Sequence, residues 1–395
     1  MTDNHGFKPA LLMVALALSA GAAQATDPYS SSNISVECTP ETFDQNQNGG
    51  IFNPMDPLQT PACTNGTVLS GTNVGQVNQS TGQSGNNRVK QASGQGNGEN
   101  SNTMLGNGGS EGLAAGDLGG GWGIWTSYVR GDYESDFRTQ GLDLGTDTDL
   151  NNALVGFDRF IADQFLLGMT FAYEDSATQS GYNGGNLDGE GFGFIPYAGW
   201  IINDNFSADV SLGFSFLEYD QTRVSTADGT QISGNYDADR WFVAANLNAF
   251  AKHNNWVFGG RIGIIHTEEE QDGYTEGGSA ASLAGGATRT VADRDLDLTQ
   301  FLIGGSVSYS FSKLEPYATI TYFNDTSRDD GTSAGGLPGN FTQTTTNDDD
   351  EFQAGFGVNF FSDLGIYGSV QYLIIGGRDD FDGNTFFLTL RADLD

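Results

Sequence analysis

Histidine is the side chain that most often serves as a general base, and this chain of 395 residues contains three histidines. His5 lies near the N-terminus, His253 lies beside two asparagines, and His266 closely precedes the glutamates at positions 268–270. Because His266 alternates in phase with the apolar Ile264, we expect it on an apolar strand face rather than in a catalytic cleft. The sequence contains no Gly-x-Ser-x-Gly turn, phosphate-binding loop or clustered metal ligands. We therefore expect that the protein is not an enzyme and needs no cofactor.

Two arginines, Arg261 and Arg391, fall on the polar faces of their segments. We expect them to pair with acids on the same faces, such as Asp209 or Asp393. The alternative is that they form a charged constriction in a pore.

Acidic residues dominate the chain, which has a formal net charge of −34 at pH 7. This charge opposes an encounter with nucleic acid. The acids concentrate in polar segments, which suggests either a solvated exterior or loops that bind divalent cations through several oxygens. No EF-hand spacing is present. The candidate cation ligands are Asp143, Asp147 and Asp149 in one segment, and Asp348, Asp349, Asp350 and Glu351 in another.

The two cysteines, Cys38 and Cys63, lie in one polar segment. In an exported chain this arrangement favours a disulfide, with two free thiols as the alternative. Export is indicated by Lys8, an apolar stretch over residues 10–20, and the small residues Ala23 and Ala25. These features predict a signal peptide over residues 1–25, cleaved after Ala25.

The elements that carry most of these groups are amphipathic strands. In residues 206–217, for example, Phe206, Val210 and Phe216 alternate with serine, aspartate and glycine. Side chains of a strand point alternately to its two faces, so such a segment has one apolar and one polar face. The same pattern predicts twelve strands: 121–135, 150–161, 165–178, 189–202, 206–224, 236–253, 256–271, 295–311, 315–326, 349–361, 365–376 and 385–394. Pro196 is the exception, because proline lacks the amide hydrogen that a ladder position donates.

The connections between these strands alternate between short and long. Each strand is long enough to cross a bilayer, and alternating turn lengths are typical of outer-membrane barrels with short periplasmic turns and long external loops. We therefore predict an all-β fold: a membrane-spanning, antiparallel, up-and-down barrel of twelve strands in residues 121–395. The alternative, a soluble sandwich or barrel, would carry polar residues on the outer strand positions. No run of eighteen apolar residues follows the N-terminal region. The long connections are 136–149, 179–188, 225–235, 272–294, 327–348 and 377–384.

Residues 26–120 form a short, polar, passenger-like segment. Its composition of Gly, Asn, Ser, Thr and Gln predicts that it is largely disordered, because it offers little apolar surface to bury. A faint period of twelve residues (Val77 and Gln79 against Val89 and Gln91) also fits a short stack of polar rungs. Since residues 101–120 are rich in glycine, we expect no helix immediately before the first strand.

Three motifs resemble the autotransporter β-domain, the translocator of type V secretion. Residues 121–125 (GWGIW) are similar to its first strand, and residues 156–160 (GFDRF) followed by 165–169 (FLLGM) resemble its first hairpin. The resemblance covers residues 121–395. It implies a barrel in the outer membrane of a Gram-negative bacterium that moves an N-terminal passenger to the cell surface or holds it there.

The same resemblance implies partners. They are the outer-membrane lipid and lipopolysaccharide around the barrel, and the barrel-insertion machinery, which reads the last strand. The outward residues of that strand are Phe386, Leu388, Leu390 and Leu394. Two other functions stay open at this point: a porin-like diffusion channel, and an adhesive or structural surface protein without export activity.

Overall fold

The computed structural model describes residues 73–82, 122–136, 138–139, 142–143, 145–161, 164–180, 184–224, 228–279, 288–291, 293–329, 349–362, 366–379 and 381–394. The main elements in these ranges are one helix and twelve long strands. The helix, α1, spans residues 73–82. The long strands are β1 Trp122–Ser135, β2 Thr146–Ile161, β3 Phe165–Ser180, β4 Gly185–Asn203, β5 Phe206–Val224, β6 Gln231–His253, β7 Trp256–Gln271, β8 Arg294–Tyr309, β9 Leu314–Asp329, β10 Asp350–Phe361, β11 Ile366–Arg378 and β12 Phe381–Leu394.

The strands form a closed antiparallel barrel. Each strand pairs with its neighbours in sequence, and β1 also pairs with β12, for example through Trp122 opposite Leu394. Two short strand pairs extend from the long-loop end, Arg138–Thr139 with Leu142–Asp143 and Tyr274–Gly277 with Thr288–Val291. Closure leaves no unpaired strand edge, as a sheet in lipid requires.

The alternation of side chains builds the wall as predicted. On β5, Val210 and Phe216 are exposed on the outside while Ser207, Ser211 and Leu217 are buried inside. The exposed outer face carries large apolar residues all around the barrel, including Phe171, Phe192, Ile264, Phe301 and Phe356. Such a belt is stable only in contact with lipid, so the barrel is membrane-spanning and the soluble alternative is wrong.

The strand prediction is confirmed, with one systematic difference. The strands continue further at the long-loop end than predicted: β2 begins at Thr146, β6 at Gln231 and β12 at Phe381. At these positions the outward residues are polar rather than apolar. The amphipathic pattern that predicted the strands is therefore absent there, although the hydrogen-bonded pairing of the strands continues.

Pro196 lies inside β4 without a bulge. It is paired in register with Met169 of β3, whereas the pairing with β5 is interrupted at Ile195 and Pro196 and resumes in the same register at Tyr197. Because proline has no amide hydrogen to donate, the ladder between β4 and β5 has a local gap at this position.

Residues 73–82 correct the expectation that the N-terminal segment is unstructured throughout. They form α1, which lies inside the barrel with Asn73, Val74 and Val77 buried. Among the described residues, no helix has the length and apolar character needed to cross a bilayer. Residues 101–120 lie outside the described residues.

The interior is also less open than the polar strand faces suggested. A cluster of buried apolar side chains lines it, including Trp125, Leu154, Ile195, Phe242 and Phe387. Tyr219 also faces this interior, where it stacks on Tyr236 with a centroid distance of 5.0 Å. The lumen is therefore packed around α1.

Candidate functional site

The site that the fold builds is the lumen, and its first part is the polar contact between α1 and the wall. Asn152 of β2 donates a hydrogen bond of 2.6 Å to Asn73, and Ser211 of β5 donates one of 3.0 Å to Asn78. Further contacts reach the opposite side of the wall, from Gln76 to Thr385 at 3.4 Å and from Gln79 to Gln371 at 3.3 Å. α1 is thus held from both sides of the barrel, through amide and hydroxyl groups rather than charges.

The second part of the contact is apolar. Val74 and Val77 lie one turn apart on α1 and belong to the buried cluster that contains Trp125, Val129 and Leu154. The helix has little propensity of its own, since it contains two glycines, two asparagines, a serine and a threonine. Its stability must therefore come from the lumen that surrounds it.

The direction of α1 follows from its neighbours along the barrel axis. Asn73 and Val74 share a small cavity with Glu174 and Arg240, in the half of the barrel near the long loops. Gly82, at the other end of α1, shares one with Leu166, which follows the short turn before β3. The N-terminal end of α1 therefore points toward the long loops, and its C-terminal end points toward the short turns, where β1 begins.

On the short-turn side of α1, a network of buried polar groups crosses the seam between β1 and β12, where the barrel closes. Arg391 of β12 forms a two-pronged ion pair with Asp158 of β2, reaching over β1 between them; one of the two contacts is 2.8 Å. Asp158 also accepts a hydrogen bond of 2.7 Å from Tyr197 of β4, which in turn accepts one of 3.0 Å from Trp125 of β1. Four strands are joined at this level, next to the short turns.

On the long-loop side of α1, two further networks of ion pairs cross the lumen. Arg240 of β6 bonds Glu174 of β3 and Glu269 of β7, each at 2.8 Å. On the other side of the barrel, Arg378 of β11 bonds Asp325 of β9 at 2.8 Å and Glu351 of β10 at 3.0 Å. All six groups are mostly or fully buried. These pairs narrow the outer half of the lumen, and each arginine offsets the charge of one of its two carboxylate partners.

The arginines singled out in the sequence both face the lumen. Arg391 contacts Asp393 at 3.3 Å in addition to Asp158. Arg261 donates a hydrogen bond of 2.9 Å to Asn246, which donates one of 2.7 Å to Asp209. Arg261 is therefore linked to Asp209 through an amide, not by a direct ion pair among the described residues.

The outer rim of the wall is acidic on its outward face. In the ladder, several carboxylates stand directly opposite one another on adjacent strands, for instance Glu190 opposite Glu218 and Asp239 opposite Glu270. Like charges in this position destabilise the pairing of strands. The other outward acids in such pairs are Asp132, Glu134, Asp147, Asp149, Asp175, Asp188, Asp220, Asp237, Glu268, Asp295, Asp297 and Asp382.

The candidate cation ligands are distributed over several environments. Asp147 and Asp149 lie on β2 rather than in a loop, with both side chains exposed. Glu351 is bound to Arg378, and Asp350 accepts a hydrogen bond of 2.9 Å from Asn324. Asp348 lies outside the described residues, and nothing is described of the side chain of Asp143. Among the described residues, the acids of this set are therefore not gathered into one site.

Of the remaining predicted residues, the last strand lies where expected. Phe386, Leu390 and Leu394 are exposed on the outside of β12, and Leu388 is half-buried on the same face. Cys38, Cys63, Ala23 and Ala25 lie outside the described residues, so the disulfide and the cleavage site stay predictions.

Sequence reasoning missed Asp158, Tyr197 and the helix. Asp158 could have been found from the strand alternation. It is an acid two positions after Gly156, so both residues are on the face of β2 that points into the lumen. Its partner is 233 positions away in the sequence, however, and only closure of the barrel brings the two together.

Comparison with known proteins agrees with this architecture. Residues 124–372 match the model of the autotransporter β-domain family. No curated protein matches the sequence significantly.

Similar solved structures include two autotransporter translocator domains. The translocator domain of the autotransporter NalP from Neisseria meningitidis superimposes with a TM-score of 0.59 at 14% identity, covering 83% of this chain and 99% of that one. The β domain of the Bordetella autotransporter BrkA gives a TM-score of 0.54 at 14% identity, covering 69% of this chain and 100% of that one. At this identity the likeness concerns the fold.

Proposed function

Because this chain belongs to the autotransporter β-domain family, we propose that its barrel exports the segment before α1 and then holds it at the cell surface with α1 in the lumen. As a family member, the chain is a Gram-negative outer-membrane protein with a role in passenger translocation. The proposal adds which part of the chain is exported. Residues 26–72 are the passenger, α1 is the anchor, and residues 83–121 connect the anchor to β1.

The direction of α1 carries this proposal. Its N-terminal end lies near Glu174 and Arg240 in the long-loop half of the barrel, and its C-terminal end lies near Leu166 beside a short turn. Because short turns of such barrels are periplasmic, the chain before Asn73 is directed to the outside of the cell.

The test is a pair of epitope insertions in the full-length chain. An epitope between residues 48 and 49 should be cleaved by protease and bound by antibody on intact cells. The same epitope between residues 107 and 108 should be protected until the outer membrane is opened, because that segment follows the periplasmic end of α1. Protection of the first insertion on intact cells would contradict the export of residues 26–72.

The packed lumen also bears on the alternative function, a diffusion channel. α1 and the ion pairs above it occupy the path that a solute would follow. We therefore favour the role as translocator and anchor.

Several accompanying proposals rest on the sequence alone. Residues 1–25 are removed as a signal peptide after Ala25, and Cys38 and Cys63 form a disulfide in the exported segment. The barrel contacts lipopolysaccharide and is inserted by the machinery that reads β12. We also propose that the protein has no catalytic activity. His253 lies at a short turn and His266 lies on the outward face, so neither histidine lines the lumen.

A further inference from the structure

The outward face of the wall contains one group of side chains that the role as translocator does not use. His266 and Glu268 of β7 and Asp297 of β8 each offer a ligand atom, and these atoms lie within 4.8 Å of one another. We propose that the three residues bind a divalent transition metal of the zinc class at the outer rim of the barrel.

The register of the ladder assembles the group. Glu268 stands directly opposite Asp297, and His266 stands opposite Thr299, so the three ligands lie on one face of two neighbouring strands. Two carboxylates in directly opposite positions repel each other, and among the described residues neither forms an ion pair with a lysine or arginine. A cation between them removes that repulsion.

The orientation of the imidazole suits a metal. Nδ1 of His266 is 2.9 Å from the hydroxyl of Thr299, and Nε2 is 3.8 Å from Oδ2 of Asp297. In the tautomer in which Nδ1–H donates to Thr299, Nε2 carries the lone pair that can coordinate a metal. Ligand atoms that lie about 2.0–2.2 Å from Zn²⁺ are separated from each other by about 3.4 Å at tetrahedral angles. The 3.8 Å between Nε2 of His266 and Oδ2 of Asp297 is close to this separation.

The types of ligand atom indicate which class of metal ion the three residues would bind. One imidazole nitrogen and two carboxylates suit Zn²⁺, Co²⁺, Ni²⁺ or Cu²⁺, whereas Mg²⁺ and Ca²⁺ prefer oxygen ligands alone. Three protein ligands leave at least one coordination position open on the outward side.

The position along the barrel keeps the site in contact with water. His266 lies ten residues above Trp256, the start of β7 at a short turn. At about 3.3 Å per residue and a tilt near 40°, this is about 25 Å, the height of the apolar belt in such barrels. The site is thus at the upper edge of the belt, and the side chains of His266 and Asp297 are about one-third exposed.

The test uses the native tryptophan beside the site. The ring of Trp241 lies 5.1 Å from that of His266, so a bound paramagnetic ion should quench its fluorescence. The full-length chain, without an affinity tag and after treatment with a chelator, is titrated with Co²⁺ in detergent. We expect saturable quenching that Zn²⁺ reverses and Mg²⁺ does not. Trp241→Phe should lose the quenching signal but still bind Zn²⁺ in calorimetry.

Matched variants separate coordination from charge. His266→Gln or Asp297→Asn should weaken Co²⁺ binding by about tenfold or more. Asp295→Asn removes the same charge one level higher on the same strand and should change binding less than about twofold. Heat-modified mobility in gels verifies that each variant folds. Equal effects of Asp297→Asn and Asp295→Asn, quenching that does not saturate, or competition by Mg²⁺ would each overturn the proposal.

Discussion

Asp158→Asn removes the charge that Arg391 faces across the closing seam of the barrel while leaving the shape of the side chain nearly unchanged. Both side chains are almost completely buried, at 0% and 2% exposure. Removing one partner of a buried ion pair leaves the other charge without compensation and typically costs about 3–5 kcal/mol. Arg391 keeps its contact with Asp393 in the variant, so we expect about 3 kcal/mol, at the low end of that range.

The assay is reversible unfolding of the barrel by urea in detergent micelles, followed by tryptophan fluorescence. A loss of about 3 kcal/mol should lower the urea midpoint by roughly 1–1.5 M, if the slope is near 2–3 kcal/mol per molar. Arg130→Met is the matched control. It removes an arginine that bonds Asp132 and Asp149 at 3.1 Å each on the exposed outer face, and such pairs contribute little.

A double-mutant cycle then isolates the pair itself. Asp158→Asn combined with Arg391→Gln should cost less than the sum of the two single changes, with a coupling energy of about 1–3 kcal/mol. Strict additivity, or a midpoint for Asp158→Asn equal to that of the wild type, would refute the view that this pair holds the seam closed.

Two further predictions concern the lumen. A Cβ atom added at Gly156 would lie 2.2 Å from the ring of Trp125, so Gly156→Ala should destabilise the barrel by about 1–3 kcal/mol in the same urea assay. Gly260→Ala, where no atom lies within 4 Å, should have a much smaller effect, and equal effects would contradict the explanation. Val77→Asp places an unpaired charge in the buried cluster around α1 and should raise single-channel conductance in planar bilayers. The control Val224→Asp makes the same change at an exposed position and should leave conductance unchanged; equal conductance of the two variants would show that α1 does not block the lumen.

The sequence predicts the strands of the barrel wall well, because the alternation of their side chains depends only on neighbouring residues in the chain. In a segment such as 206–217, lipid outside and packed lumen inside impose a period of two residues, and that period is visible without knowledge of the partners. This alternation weakens at the outer rim, where Asp147 and Asp149 replace apolar residues on the outward face of β2. The sequence therefore predicted shorter strands there.

The lumen is harder to predict because its contacts are between distant parts of the chain. Arg391 was recognised as an inward charge, but its main partner Asp158 depends on closure between β1 and β12. α1 was missed for a related reason. A segment with Gly75, Asn78 and Ser80 has little tendency to form a helix alone, and the valines that stabilise it have partners only inside the finished barrel.

The opposed carboxylates make strand pairing less stable at the long-loop end of the barrel than at the short-turn end. At the short-turn end, Trp125, Tyr197, Asp158 and Arg391 join four strands through buried hydrogen bonds. At the other end, pairs such as Asp239 and Glu270 push adjacent strands apart. This repulsion is screened over about 8–10 Å at physiological ionic strength and extends further in dilute solution. We therefore expect fraying of the strands to start at the outer rim and to reach further down the wall at lower ionic strength.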